Sequence, residues 1–370
     1  MPDPDVIIVG ARVAGSLTAV FLGERGWRVL LLDRSVFPSD TLSTHFFRWP
    51  TLEAFRRAGV FDEVHATGAP PLRHSFNDLD DHVFTEPVHG EGGLDYYLCV
   101  RRITLDDILV RRARREKTVD VREGVTVQAV LRDGDRVIGV RVSQGAVETD
   151  ITASVVVGAD GLRSLLARSV GVGVEHSEPV RRAMYYAYFA GLAPAEPLAA
   201  EFHYRGDELV YVFPCDGGLA LLAVSLPIAE FPRWKQDGLR LFMERLRGRP
   251  HLAPRLARAE MMSRLYGAGD IPGYMRVPYG EGWVLVGDSG IVMDPFSGQG
   301  IDQASTHASY LADALHRWLT GDAAWEQAMA GYHAARNGFT EKTYQRTCTG
   351  ARDLREITRA ALRRRGMLSH

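Results

Sequence analysis

The chain lacks most features that mark a secreted, membrane-bound or nucleic-acid-binding protein. Only three cysteines occur in 370 residues: Cys99, Cys215 and Cys348. They lie far apart, with no CxxC or metal spacing. An odd, scattered set excludes a disulfide framework and a metal site, and predicts reduced thiols in a cytoplasm. No apolar run is long enough to span a bilayer. The most apolar later stretch, 209–228, is broken by Pro214, Asp216, Gly217 and Gly218. The start, Met-Pro-Asp-Pro-Asp, carries neither the basic nor the apolar part of a secretion signal. Acidic and basic side chains nearly cancel, for a formal net charge of −2, so no nucleic-acid surface is implied. Internal repeats and low-complexity tracts are missing too. The remaining picture is a globular chain with room for one large or two modest domains.

Its organising stretch is DVIIVGARVAGSLTAVFLGERGWRVLLLDR, residues 5–34. Val6 to Val9 is a short continuous apolar run, as a strand buried on both faces requires. Gly10 ends it. Residues 13–25 then place Val13, Leu17, Val20 and Phe21 at helical spacing, and Gly26 fits a helix stop. Val29 to Leu32 is a second strand, ending on Asp33. This is a β-α-β unit with a turn glycine, a helix-packing glycine at Gly15 and an acid about twenty residues on. The helix start (Val13, Ala14) offers free N–H groups and partial positive charge to a diphosphate. Asp33, beside Arg34, can accept from a ribose hydroxyl. The middle glycine of the usual fingerprint is Arg12 here. Its guanidinium can lie along the phosphates, or the turn is differently shaped.

Further along, residues 34–50 read as a loop carrying Phe46, Phe47 and Trp49, and a helix follows from Thr51 to Ala58. Strands joined by turns fill 71–99. The segment VRRITLDDILVRRARRE is a helix whose basic run, Arg111 to Arg115, reads as a solvated face. Residues 119–158 read as hairpins turning at Asp133-Gly134 and Gln144-Gly145, ending in a third apolar strand, Ser154 to Val157. That strand enters GADGLRSLLARSVG, with a turn at Asp160-Gly161. From 181 to 226 come four aromatic-rich strand pieces, predicting an antiparallel sheet inserted between halves of the nucleotide-binding part. Residues 235–260 read as helix. Strand character returns at GWVLVGDSGIVMDPFSGQGIDQA, with Gly287-Asp288 and a second glycine turn through Pro295, Gly298 and Gly300. A helix runs from Ile301 to Trp318, and the tail, 325–368, is helical and basic.

These three motifs, in this order, resemble the FAD-dependent monooxygenases of the p-hydroxybenzoate hydroxylase fold, a superfamily that also holds flavin halogenases and geranylgeranyl reductases. The resemblance covers the chain to about residue 320. It implies a mixed α/β (α+β) fold: a Rossmann-like FAD-binding domain (1–73, 100–178 and 272–320), an inserted substrate domain with an antiparallel sheet (74–99 and 179–271), and a C-terminal helical segment (321–370). Carried residue by residue, it implies that Gly10, Arg12, Val13, Ala14 and Gly15 hold the FAD diphosphate and Asp33 the ribose. Arg102, with Arg101 as the neighbouring alternative, reaches the diphosphate or ribitol. Asp288, after Gly287, accepts from ribitol, and Pro295, Gly298, Gly300 and Ile301 bring N–H groups to the isoalloxazine, where charge builds on reduction. Asp160 shapes the cleft. Ser43 and Thr44 stand at the flavin edge, and His45 is either catalytic or a hydrogen-bonded structural histidine. Tyr186, Tyr188, Phe202, Tyr204, Tyr211 and Phe213 form a substrate wall, with alternate side chains on opposite faces.

The implied chemistry is a single-component monooxygenase, plausible in secondary metabolism. NAD(P)H acts as transient electron donor, since no second nucleotide fingerprint is present. One oxygen atom of O2 passes, through a flavin C4a-hydroperoxide, to an aromatic or hydrophobic small molecule. The cofactor carries the chemistry, which explains why no nucleophile–base pair stands out. An isoprenoid-reducing enzyme of the geranylgeranyl reductase type is the alternative, since DELVYVFPCDGG and DPFSGQGI resemble its segments. Its cysteine-bearing loop is replaced by SDTLSTH. The lysine-bearing and W-x-W-x-I-P motifs of the halogenases have no match. A flavin-binding protein without turnover is the remaining class. The expected result for Arg102→Ala is weaker FAD retention, since a charge-assisted phosphate contact is worth about 1.5–3 kcal/mol; unchanged affinity by flavin titration removes Arg102 from the cofactor site.

Overall fold

The structure, a computed structural model, describes residues 3–368. Its centre is strand β1 (Val6–Val9), whose first three residues have no solvent exposure. Continuous branched apolar residues suit a strand covered on both faces, and each such side chain contributes roughly 1.5–3 kcal/mol on burial. Beside β1 lie β2 (Val29–Asp33), β5 (Val119–Glu123), β9 (Val155–Gly158) and β14 (Trp283–Leu285), in the order β14-β9-β1-β2-β5, all parallel. A short antiparallel strand, Tyr279–Gly280, closes the β14 edge. Strand β5 departs from the expected hairpin run. It joins the parallel sheet, because Val119 and Val121 pair with the exposed edge of β2. The hairpins are confined to β6 (Thr126–Asp133), β7 (Arg136–Gln144) and β8 (Val147–Thr152), which turn where Gly134 and Gly145 supply positive φ.

One face of the parallel sheet is covered by helices α1 (Val13–Gly23), α3 (Arg102–Arg114) and α6 (Gly300–Leu319), with Val6, Ile8, Leu17, Leu105 and Leu311 in one core. The β6–β8 sheet and the short helix α4 (Leu165–Val170) cover the other, around Ile7, Val140, Val156 and Leu166. Helix α2 (Trp49–Arg57) starts earlier than expected because Pro50 is tolerated in a first turn, where its missing N–H costs nothing. The basic run on α3 is paired as well as solvated. Arg111 and Arg115 bind Glu63, Arg112 binds Glu24 and Glu116, and Arg114 binds Glu123.

The four aromatic-rich pieces form β10 (Arg182–Ala190), β11 (Ala199–Arg205), β12 (Glu208–Pro214) and β13 (Leu219–Pro227). They are antiparallel neighbours in the order β10-β13-β12-β11, extended by β3 (His74–Leu79), which pairs parallel with β11, and β4 (His82–Pro87). One face of this sheet packs on helix α5 (Phe231–Arg247) through Tyr185, Phe189, Val210, Trp234 and Phe242. The helix expected over 235–260 stops at Arg247, because Gly248 and Pro250 follow; beyond them lie a short 3₁₀ turn, Ala253–Arg258, and the strand Glu260–Met261. The tail forms α7 (Trp325–Arg352) and α8 (Leu354–Arg364), broken at Asp353. Among the described residues, no helix is long and apolar enough to cross a membrane.

On the α5 side, the sheet buries a charged cluster. His203 Nε2 donates to Glu201 at 3.1 Å and its ring stands 3.7 Å from Asp78, while Arg255 holds Glu201 and Arg205 holds Asp78. Burial opposes the charged form of His203, but the two carboxylates outweigh it and raise its pKa. Burial likewise opposes the charged forms of Glu201 and Asp78, yet His203 and the arginines lower both. The raised histidine stabilises the fold below its unfolded value of about 6.5 and loses that contribution as pH climbs through its folded value. The depressed carboxylates contribute above about 4 and lose it as pH falls through their folded values. The melting temperature should therefore fall on both sides of mildly acidic pH, and Glu201→Gln should flatten the alkaline fall; an unaltered pH profile in that variant would contradict the assignment.

Candidate functional site

The carboxyl ends of β1 and β2, with the turns after β9 and β14, open into one cavity of about 890 Å³, a size suited to a cofactor. Gly10 (φ +104) turns the chain where an added Cβ would stand 2.3 Å from the Ala159 carbonyl oxygen. Gly15 lies so close to the Gly10 carbonyl that its Cβ would fall 1.8 Å from that oxygen. Gly15 therefore works behind the cavity wall and is not part of it. The contact brings the start of α1 to the cavity at Arg12, Val13 and Ala14, and no side chain caps that helix. Its first N–H groups are left for a ligand.

Asp33 lines the cavity next to Arg34 but is also a brace for the turn. Its Oδ2 accepts from the Ala11 N–H at 2.7 Å and its Oδ1 from the Ser35 N–H at 2.7 Å. Each oxygen keeps a second lone pair for a ribose hydroxyl.

The arginines separate clearly. Arg12 has φ −83 and ψ −164, an extended conformation open to any residue. Its Nη1 donates to Asp106 Oδ2 (2.5 Å) and the Ser39 carbonyl (3.1 Å), its Nη2 to Ser39 Oγ (3.3 Å) and the Asp40 carbonyl (3.0 Å). Arg102 also lines the cavity; its Nε donates to Asp106 Oδ1 at 2.9 Å, and no protein hydrogen bond engages its Nη groups among the described residues. Arg101 is held elsewhere, with its backbone N–H and Nε on Asp216. Asp106, fully buried between two guanidinium groups, escaped the sequence reading, although its position four residues after Arg102 on one helix was a usable signal.

At the far end, the 3₁₀ turn Pro295–Ser297, Gly298 (φ +60) and the uncapped start of α6 at Gly300 and Ile301 line the same cavity. Another unforeseen pair fixes them. Arg48 donates to the Gly298 and Ser297 carbonyls (2.7 and 3.1 Å) and to Asp302 (2.8 Å), which Thr51 also binds. Tyr274 donates to the carbonyls of Asp288 (2.6 Å) and Leu162 (3.1 Å), tying the two later motifs together. Asp288 presents its carboxyl to the cavity beyond Gly287. The surrounding protein pushes its pKa up to about 6, against the pull of Arg102. Asp160 caps α4 through Oδ2, which accepts from Leu165 N–H (2.6 Å), while its buried Oδ1 has no partner. An unpartnered acceptor at the wall, glycines where side chains would intrude, two uncapped helix starts and an arginine with free Nη groups together fit a dinucleotide.

Ser43 and Thr44 line the cavity as well. His45 does not. It is fully buried with φ +58; Nδ1 accepts from the Arg102 N–H (3.1 Å), so Nε2 carries the proton toward Tyr188 Oη (2.6 Å). Burial, then Arg102 and Arg101, push its pKa well below the usual value. Of the two roles open to it, this geometry is that of the structural histidine. The aromatic residues expected to form a substrate wall lie outside this cavity. Tyr186, Tyr188, Phe202, Tyr204, Tyr211 and Phe213 do share one sheet face, opposite α5, but none lines the cavity. Phe46, Phe296, Ala351, Leu354 and Ile357 fill the space against them. Phe46 stacks on Phe213 at 4.6 Å and Tyr211 donates to the Phe296 carbonyl at 2.6 Å.

The pattern of the family described as FAD binding domain matches residues 3–347. The digeranylgeranylglycerophospholipid reductase of Methanosarcina acetivorans is 25% identical over 87% of this chain and 78% of its own length. Among solved structures, the myxobacterial chondrochloren halogenase CndH superposes with a TM-score of 0.85 at 24% identity, over 93% of this chain and 82% of that one; at that identity the likeness is one of fold. PqsL, a probable FAD-dependent monooxygenase from Pseudomonas aeruginosa, superposes at 0.82 with 25% identity, over 97% and 99%. Replacement of Gly15 by Ala should cost about 1–3 kcal/mol through overpacking and open the turn at Gly10, seen as a lower melting temperature and a lower flavin-to-protein absorbance ratio; wild-type values for both would refute the close-contact argument.

Proposed function

The chain belongs to the FAD binding domain family, and on that premise we propose that this FAD-dependent oxidoreductase is an NAD(P)H-consuming monooxygenase acting on an aromatic or hydrophobic small molecule. The observation that carries this reading is the cavity itself. It runs from the uncapped start of α1 to the glycine turn before α6, and its second end lies under Phe46 and the flavin-edge residues Ser43 and Thr44. FAD, when bound, supplies the redox chemistry and the reaction with oxygen. Arg102 would neutralise its diphosphate, and Val13 and Ala14 would offer backbone N–H groups to the same oxygens. Asp33 and Asp288 would accept from its hydroxyls. The N–H groups at Gly300 and Ile301, with the positive end of α6, would favour negative charge at that end of the cavity. His45 holds its proton at Nε2 against Tyr188 and braces the flavin-edge loop from behind.

The halogenase reading finds no support in the basic residues. The three lysines, Lys117, Lys235 and Lys342, are all exposed and none lines the cavity. A reductase acting on isoprenoid double bonds is the second reading, favoured by the likeness to the Methanosarcina enzyme over 87% of the chain. One experiment separates the two. The purified protein is mixed with NADH or NADPH under nitrogen and then in air, with and without a panel of phenols and polycyclic aromatics. Substrate-accelerated bleaching of the flavin band, with oxygen consumed and a hydroxylated product by mass spectrometry, is the expected outcome. A flavin that is reduced but hydrogenates a geranylgeranyl chain, without oxygen uptake, would overturn the monooxygenase reading.

A further inference from the structure

We propose that Arg12 is the latch of the cofactor cavity: it fastens the loop after β2 over the bound cofactor and so controls how fast that cofactor leaves. This rests on the FAD reading of the cavity. Residues 34–45 have no regular secondary structure, yet Ser39, Asp40, Thr41, Leu42, Ser43 and Thr44 make up one side of the cavity. Among the described residues, no backbone–backbone hydrogen bond reaches 36–44. The loop is pinned at its start by Phe37, buried in the main core, and at its end by the Cys99 thiol donating to the Thr44 carbonyl. Between those points, the side-chain hydrogen bonds that reach 38–42 from outside the loop are, among the described residues, the three from Arg12 to Ser39 O, Ser39 Oγ and Asp40 O.

The donor count decides what Arg12 is for. A guanidinium has five N–H donors. Arg12 spends all four of its Nη donors on the loop and on Asp106, whereas Arg102 spends only Nε. Phosphate binding therefore falls to Arg102, and the residue in the fingerprint's glycine position is a positioning residue for the wall. Asp106, buried and bound to both, keeps the latch and the phosphate arginine in a fixed relation. A glycine at position 12 would let the backbone approach the phosphates; the arginine gives up that freedom and gains a closure.

The test compares the wild type with Arg12→Gly, Arg12→Lys, Asp106→Asn and Arg102→Ala. Two rates are measured: release of FAD, followed by recovery of free-flavin fluorescence, and thermolysin cleavage of the loop, whose Val36 and Leu42 are 66% and 51% exposed. Arg12→Gly should raise both rates by about tenfold or more, the ratio corresponding to roughly 1.4 kcal/mol. Arg12→Lys, with three donors on one atom, should fall between it and the wild type. Arg102→Ala should speed release and leave loop cleavage unchanged. Wild-type cleavage in Arg12→Gly overturns the latch, as does faster release without faster cleavage, which would make Arg12 a phosphate ligand. Should Arg12→Gly fail to fold, the Arg12→Lys and Asp106→Asn rates decide the matter in the same way. A protein that takes up no FAD would refute the function proposed above, while cleavage of the loop in the cofactor-free protein would still decide for or against the latch.

Discussion

The contact between Gly15 and the carbonyl of Gly10 is the constraint on which the rest of the molecule depends. A helix can start at the mouth of a cavity only if its first turn packs directly on the strand that precedes it, and a side chain at residue 15 would occupy the carbonyl oxygen's place. With α1 seated, its buried length meets α3 and α6, and those helices bring Arg102 and Gly300 to the wall of one space. The outlying antiparallel sheet is then attached through Phe46, Phe296 and the tail helices.

The charged groups around the cavity are organised in layers. Asp33 and Asp288 face the cavity directly, whereas two further carboxylates sit behind it, out of water, each paired with guanidinium groups. Asp106 holds Arg12 and Arg102, and Asp302 holds Arg48. A planar guanidinium can meet an acid with one edge and a carbonyl or phosphate with another, which an ammonium cannot do. Buried pairs of this kind are weak sources of net stability but strong sources of geometry, and here they fix the walls to which a ligand must conform.

The legible part of the sequence was its local chemistry. Short apolar runs ending in glycine gave β1, β9 and β14, and the three turns at Gly10, Asp160 and Gly287 to Gly300 do converge on one cavity. Alternation divides the aromatics of these strands between two faces without saying which face meets a ligand, and the structure puts six of them on the face turned away from α5. The errors arose where a residue's neighbour is distant in sequence. Nothing near Val119 announces that it will pair with Val29, and nothing in the strands 182–227 announces that Leu354 will cover them. Arg12 looked like a phosphate ligand because its four acceptors lie 27 to 94 residues away. The cysteines are free, as expected, but Cys99 and Cys215, 116 positions apart in sequence, share one buried cluster, where burial first and then Cys215 push the Cys99 thiol well up.

The scarcity of lysine has a practical side. Amine-directed reagents find side chains only at Lys117, Lys235 and Lys342, which lie in the turn after α3, on α5 and on α7, all exposed and none on the cavity wall. Immobilisation on an electrode or bead through those amines would leave every arginine that shapes the cavity chemically intact. The same separation means that a fluorophore placed on the amines reports on the shell of the molecule and is blind to the state of its interior.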